Sequence, residues 1–200
     1  MLKAALDFLT QVEPESGAIH TPPEMRLMLY ALAVSLNAEC ILELGFDAGY
    51  TTLALAESGA VVIGVDDSSE YPEVKASAAK LLAAYPNVAL VNTDAVAFLR
   101  GSNDEFYDLI FVDDDHRAEH VAQEAWLIRA KLRQGGIAAF HDTNIHSLWK
   151  VVEMIFSDWE KINLPAWTPQ EDRLDQRHNY GLALVRKPIV KLVPREVLDG

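Results

Sequence analysis

The residues best placed for chemistry are acids and histidines standing directly after apolar runs. Ile41-Leu42 leads into Glu43-Leu44-Gly45, and Gly49 completes a Gly-x-x-x-Gly turn. Gly45 and Gly49 can take positive φ and carry no Cβ to block a ligand, and a helix starting near Gly49 would aim unpaired N–H groups into the same crevice. About twenty residues on, the run 61–65 delivers Asp66 and Asp67. A carboxylate there can accept hydrogen bonds from both hydroxyls of a ribose, with Asp66 the first candidate and Asp67 its register-shifted rival. More acids collect in Val112-Asp113-Asp114-Asp115-His116 and in Phe140-His141-Asp142-Thr143-Asn144. Imidazole titrates near neutrality, so His116 and His141 are the general-base candidates, with Asp113 the alternative.

These groups need a scaffold, and the chain alternates strands with helices. Thr21-Pro22-Pro23-Glu24 reads as a capping box with prolines in the first turn, opening a helix over 21–37. Strand 40–44, helix 50–58, strand 60–65, helix 72–84 and strand 88–91 follow, Pro86-Asn87 breaking the second of these helices. A short helix at 95–99, which Asp94 is placed to cap, and a polar turn from Gly101 precede strand 107–112. Val121, Ala125, Ile128 and Leu132 form one apolar stripe on a helix over 117–133, which Asp115 is placed to cap and Gly135-Gly136 to stop. Strand 137–140 and helix 147–156 come next, then a strand at 159–164, a loop at 165–179 and a last strand at 180–186. Near-continuous apolar strands alternating with helices imply an α/β, doubly wound, Rossmann-like and mostly parallel sheet with helices on both faces. Ligands of such sheets bind beyond the carboxyl ends of the strands, where these acids gather.

The 200 residues suit one domain, with N-terminal helices in 1–37, a core over 38–186 and a tail at 187–200. A formal net charge of −13 and the lack of a basic run with interleaved aromatics argue against nucleic acid as a partner. Cys40 is the only cysteine, which excludes an intramolecular disulfide and a Cys-rich zinc site, and its apolar strand points to plain packing. The first ten residues read as an amphipathic helix rather than a secretion signal, and no apolar run approaches a membrane span. A reducing cytoplasm is the expected compartment.

Five motifs in order then carry a resemblance: Glu43-Leu-Gly45-x-x-x-Gly49, Asp66, Thr93-Asp94-Ala95, Val112-Asp-Asp-Asp-His116 and Arg133-Gln-Gly-Gly-Ile-x-x-Phe-His-Asp142. Together, over residues 21–186, they resemble the class I S-adenosylmethionine-dependent methyltransferases. The endings after 112 and 140 look most like small-molecule O-methyltransferases of the branch with Asp-Gly-Asp-His and Phe-His-Asp. The resemblance implies a seven-stranded sheet of order 3-2-1-4-5-7-6 with an antiparallel last hairpin. It also implies a hydroxyl-bearing small-molecule acceptor and a homodimer, for which the helix at Leu2 to Leu9 is a candidate contact.

Carried over residue by residue, the resemblance has Gly45 and Gly49 wrap the methionine part of the cofactor and Glu43 meet a water or its ammonium group. Asp66 would hold the ribose, and Asp94 with the backbone of Ala95 would read the adenine edge. Asp113 and Asp142 match two magnesium ligands of the metal-dependent members, while Thr143 stands where an Asn is expected, flanked by His141 and Asn144. A histidine in the set would tilt the site toward a transition metal. The competing account has Asp113 and Asp142 fix acceptor hydroxyls and position a histidine. A phenol acceptor with pKa about 10 needs roughly 4 kcal/mol to become half ionised at pH 7, so a base or a metal is required either way.

Asp114 departs from the glycine usual in that branch. Residues 159–178, including Trp167, are expected to shape the acceptor pocket, whereas Trp149, Phe156 and Trp159 are expected in the core or an interface. Two other functions remain open. A nicotinamide dehydrogenase would need glycine at Asp47 and Tyr50, which the sequence opposes. A non-catalytic, cofactor-binding partner subunit would keep the same turn without the transfer chemistry.

Overall fold

Apolar runs too continuous for a one-sided sheet become strands buried on both faces. A computed structural model of the chain describes residues 21–67, 72–144, 147–164 and 181–190. The expected helix at Leu2 to Leu9, the loop 165–179 with Trp167 and most of the tail lie outside the described residues. The elements are α1 (Pro23–Ser35), β1 (Cys40–Leu44), α2 (Tyr50–Ala56), β2 (Val61–Asp66), α3 (Pro72–Leu82), β3 (Val88–Asn92), α4 (Ala95–Gly101), β4 (Tyr107–Val112), α5 (Ala118–Lys131), β5 (Leu132–His141), α6 (Leu148–Ile155), β6 (Glu160–Leu164) and β7 (Leu182–Arg186). They form one seven-stranded sheet of order β3-β2-β1-β4-β5-β7-β6. β1 to β5 pair in parallel, and β7 runs antiparallel to both β5 and β6.

Central strands alternate their side chains between two cores. Leu42 and Leu44 of β1 and Ile110 and Val112 of β4 pack beneath α4, α5 and α6, while Ile41, Leu109 and Phe111 face α1 and α2. The stripe Val121, Ala125, Ile128 is buried as expected, and so are Phe156 and Trp159, while Trp149 packs on the same core half-buried. Cys40 is buried too, and burial pushes its thiol up to about 11, which fits packing rather than reactivity.

Two expectations fail at the ends of α1 and α5. Thr21 does not cap α1, whose N-cap is Pro22 with no side-chain cap bond. Its hydroxyl donates instead to Asp113 Oδ2 at 3.0 Å, a charged acceptor that outcompetes a backbone amide. Nor do Gly135 and Gly136 stop α5. That helix ends at Lys131, Leu132 is already extended at φ −75° and ψ 137°, and β5 runs through both glycines. The β4–β5 register shifts between Tyr107 and Leu109, and a Cβ on Gly136 would lie 2.9 Å from the Asp108 carbonyl oxygen. The glycine pair therefore serves an irregularity inside a strand, and Leu132 closes the helix stripe from the first position of that strand.

Candidate functional site

The turn after β1 shows what its glycines are for. Gly45 and Gly49 adopt φ of 82° and 84°. A Cβ on Gly45 would stand 2.3 Å from the Asp113 carbonyl oxygen, and one on Gly49 would stand 3.0 Å from Leu82 Cδ1. Both glycines make room first for protein: Gly45 lets the end of β4 cross the turn, and Gly49 lets α3 close on α2. Gly45 still lines the cleft beyond. Glu43, by contrast, is no solvated strand-end acid. It is fully buried, accepts a short hydrogen bond from Thr52 Oγ1, and keeps Oε1 without a hydrogen-bond partner. Burial pushes its carboxyl up to about 8, against the pull of the Thr52 bond.

A cleft of about 560 Å³ opens at the carboxyl ends of β1, β2 and β4, within the size range of small-molecule sites. Asp47, Asp66, Asp67, Asp94, Asp113, Asp114 and Asp115 line it, with Lys75 and Arg117 the only lysine or arginine on its wall among the described residues. Asp66 Oδ2 accepts from the Asp47 amide at 2.9 Å, and Oδ1 pairs with Lys75 Nζ at 2.7 Å. Asp94 caps α4 by accepting from the Ala97 amide at 2.7 Å, and Ala95 lines the cleft beside it. Asp115 does not cap α5. It bonds the Arg117 amide at 2.8 Å and its guanidinium, one step before the helix.

Asp113, His116, His141 and Asp142 come together as the sequence led one to expect, with ligand atoms all within 4.8 Å. His116 Nε2 stands 2.7 Å from Asp142 Oδ2, and His141 Nδ1 stands 2.7 Å from Asp113 Oδ1. His116 is 36% exposed at its side chain, whereas His141 is only 4% exposed. The bond to Asp142 raises the His116 pKa above its ordinary value. For His141, burial opposes the charged form, yet Asp113 and Asp142 outweigh it and push the imidazole up to about 10. A buried imidazolium so held has no free lone pair at neutral pH, so the geometry favours His116 over His141 as a base. Burial alone would raise Asp142, but its two histidine partners hold it well below the usual carboxylate range. Its φ of 53° marks a backbone constrained to bring the carboxylate inward.

Thr143 plays no part in this group. Its hydroxyl lies 3.1 Å from Asn163 Oδ1 and its amide donates to the Gly181 carbonyl at 3.3 Å. The cluster's remaining donor is His116. Two carboxylates and two imidazoles could hold a divalent metal, and that donor set suits a first-row transition ion better than magnesium, which prefers oxygen.

Sequence reasoning missed three features. Thr21 reaches Asp113 across 92 positions, with no local signal. Lys75 lies one turn into α3, indistinguishable in sequence from a solvated lysine. Asp114, His120 and Glu124 form another group of potential metal ligands. His120 and Glu124 stand one helical turn apart beside the buried stripe, which was the readable clue. Asp114 and then Glu124 push His120 up to about 10, while burial pushes Glu124 up to about 8.

No curated protein sequence matches the chain. Among solved structures, it is similar to the O-methyltransferase TomG from Streptomyces achromogenes, involved in tomaymycin synthesis and solved with S-adenosylmethionine, at 17% identity and TM-score 0.69, covering 92% of this chain and 90% of that one. An O-methyltransferase from Bacillus cereus in complex with S-adenosylhomocysteine matches at 18% identity and TM-score 0.66, over 92% and 91% of the two chains. A precorrin-6y C5,15-methyltransferase from Geobacter metallireducens matches at 14% identity and TM-score 0.65, over 87% and 94%. At such identities the likeness establishes the fold, that of the class I methyltransferases. A family model described as a methyltransferase domain matches residues 42–143, just over half of the sequence, and the chain therefore belongs to the methyltransferase domain family.

Proposed function

We propose that the chain is an S-adenosylmethionine-dependent methyltransferase that methylates a hydroxyl of a small molecule. The observation that carries this reading is the cleft lined by seven aspartates that runs up to the Asp113/His116/His141/Asp142 cluster. S-adenosylmethionine carries a sulfonium, an ammonium and a carboxylate, net positive, and suits an acidic wall. A dinucleotide would bring a pyrophosphate against the same wall and be repelled. When bound, the cofactor supplies an electrophilic methyl group on sulfur. The solved O-methyltransferases with this fold, two of them holding the cofactor or its demethylated product, support the same assignment.

On this reading Gly45 lies against the methionine part, and Asp66 accepts the ribose hydroxyls by exchanging some of its bonding to Lys75 and Asp47. Asp94 and Ala95 face the adenine edge. Glu43 acts from below the turn, where its unbonded Oε1 is a ready acceptor for an ammonium or a water. Replacement of Asp66 by Ala removes hydrogen bonds to a charged acceptor, worth about 1.5–3 kcal/mol, so cofactor affinity falls roughly ten- to hundredfold. Unchanged affinity would remove Asp66 from the cofactor site.

His116 takes the acceptor proton. It reaches the cleft, and Asp142 orients it and stabilises the imidazolium that forms. His141 stays protonated and holds Asp113 in place. Were a divalent metal bound by these four residues, both imidazoles would be neutral ligands and Lewis acidity toward the acceptor oxygen would stand in for His116 as the base. A hydroxyl acceptor is supported by the need for this base, which a more nucleophilic amine or thiolate would lessen. Transfer of labelled methyl from S-adenosylmethionine to a panel of phenols, catechols and sugars tests the assignment. Incorporation into carbon or nitrogen acceptors alone would overturn it.

A cytoplasmic homodimer with no nucleic-acid or membrane partner completes the reading. Support comes from the family resemblance and from the net charge of −13; among the described residues no helix is long and apolar enough to cross a membrane. Light scattering of the full chain tests the dimer.

A further inference from the structure

We infer that Asp114, His120 and Glu124 form a metal site for a zinc-type divalent cation, separate from the Asp113 cluster and independent of the identity of cofactor or acceptor. The argument begins with Glu124, which is fully buried on α5 with neither carboxylate oxygen hydrogen-bonded. A buried carboxylate left so is costly unless a cation accepts it. Asp114 Oδ1 and His120 Nε2 are also buried without a hydrogen-bond partner. Three ligands of two types, two carboxylates and an imidazole, thus converge at one point, each with an atom that makes no hydrogen bond.

The spacing fits a metal better than it fits hydrogen bonds. His120 Nε2 stands 3.4 Å from Asp114 Oδ2 and 3.6 Å from Glu124 Oε1, beyond good hydrogen-bond length. Ligands about 2.0–2.1 Å from one zinc at tetrahedral angles lie about 3.3 Å from one another, close to these separations. The other imidazole nitrogen, His120 Nδ1, faces Asp115 Oδ2 at 3.7 Å, and Arg117 holds that carboxylate in turn. At that distance the carboxylate is an electrostatic neighbour of the far nitrogen rather than its hydrogen-bond partner, on the side where metal-bound histidines commonly carry one. Three protein ligands leave a fourth place for water, the pattern of an open zinc site. A cation here ties α5 to the turn after β4, which also lines the cleft, and neutralises Asp114 on that wall together with the buried Glu124.

The test is zinc binding by the purified full chain, stripped with a chelator and titrated with zinc chloride against a chromophoric competitor. Wild type and Asp142→Asn, which takes one carboxylate from the other cluster and weakens it, should each take up a tight zinc. Introduced into Asp142→Asn, His120→Ala and Glu124→Gln should bind that zinc at least tenfold more weakly, with circular dichroism confirming their folds. Cobalt loaded into Asp142→Asn should give the visible absorption of a tetrahedral site, and His120→Ala should lack it. No zinc uptake by wild type overturns the proposal. So does uptake abolished by Asp142→Asn or unaffected by both His120→Ala and Glu124→Gln. If His120→Ala does not fold, the isosteric Glu124→Gln decides.

Discussion

Asp113 and Asp114 are neighbours in sequence, yet each belongs to a cluster of a different kind. On the Asp113 side, carboxylates and imidazoles meet at 2.7 Å, and the partly exposed His116 opens to the cleft. On the Asp114 side, the contacts stand at 3.4 and 3.6 Å around a Glu124 that is 0% exposed. Groups drawn to hydrogen-bond length have settled their charges among themselves and can exchange a proton. Groups held at metal-ligand spacing, with oxygens unbonded, leave room for the cation proposed above. Successive residues leaving a strand point to opposite sides, which is how a single strand end feeds both groups.

The contrast breaks most readily at the histidines. His116→Ala should lower the rate of transfer by about 10²–10⁴, the usual worth of a positioned base, and leave S-adenosylmethionine affinity unchanged. His120→Ala should cost far less under the same assay. Equal losses would erase the distinction between the clusters.

Asp142→Asn probes the Asp113 side through pH. Asp142 raises the His116 pKa, and a base works only when neutral, so wild-type kcat/KM should rise with pH through a value above 6.5. Without the carboxylate's charge the imidazole loses its proton more easily, and the rising limb should move to lower pH. A limb that stays in place would mean another group accepts the proton. The same shift gives a stability sign: a raised histidine pKa stabilises the fold below the unfolded value near 6.5 and loses that contribution as pH rises through the folded one.

Zinc should sharpen the Asp114 side. At a hundredfold excess over its Kd, a ligand of the folded state adds about 2.7 kcal/mol, or roughly 5–10 °C in Tm for a chain of this size. Wild type and Asp142→Asn should show that rise, and Asp142→Asn carrying His120→Ala should not. The smallest effect belongs to Thr21→Val, which removes one hydrogen bond to Asp113. About 1 kcal/mol, or fivefold in kcat/KM, is expected, without change in zinc affinity.

Legibility in the sequence followed locality. The strands Cys40–Leu44 and Tyr107–Val112 announce themselves as unbroken apolar runs, because a sheet covered on both faces demands apolar side chains on both. The glycine turn, Asp66 and the paired Asp/His endings were legible for a related reason, since each follows such a run. What escaped depended on contacts between distant segments. Gly135-Gly136 read as a helix stop, and only the β4 backbone shows that it lies inside a strand. Thr21 looked like a cap because Asp113 is 92 positions away. Glu124 lies beside the apolar stripe with nothing local to mark it, and α5 turns it inward with His120 toward Asp114.

The account stands or falls on what the acidic cleft binds, and calorimetric titration of the full chain with S-adenosylmethionine, S-adenosylhomocysteine and NAD measures that directly. S-adenosylmethionine should bind, its affinity should fall with added salt more steeply than that of the product, which lacks the sulfonium charge, and NAD should not bind. Binding of NAD with neither sulfur nucleotide taken up would contradict it.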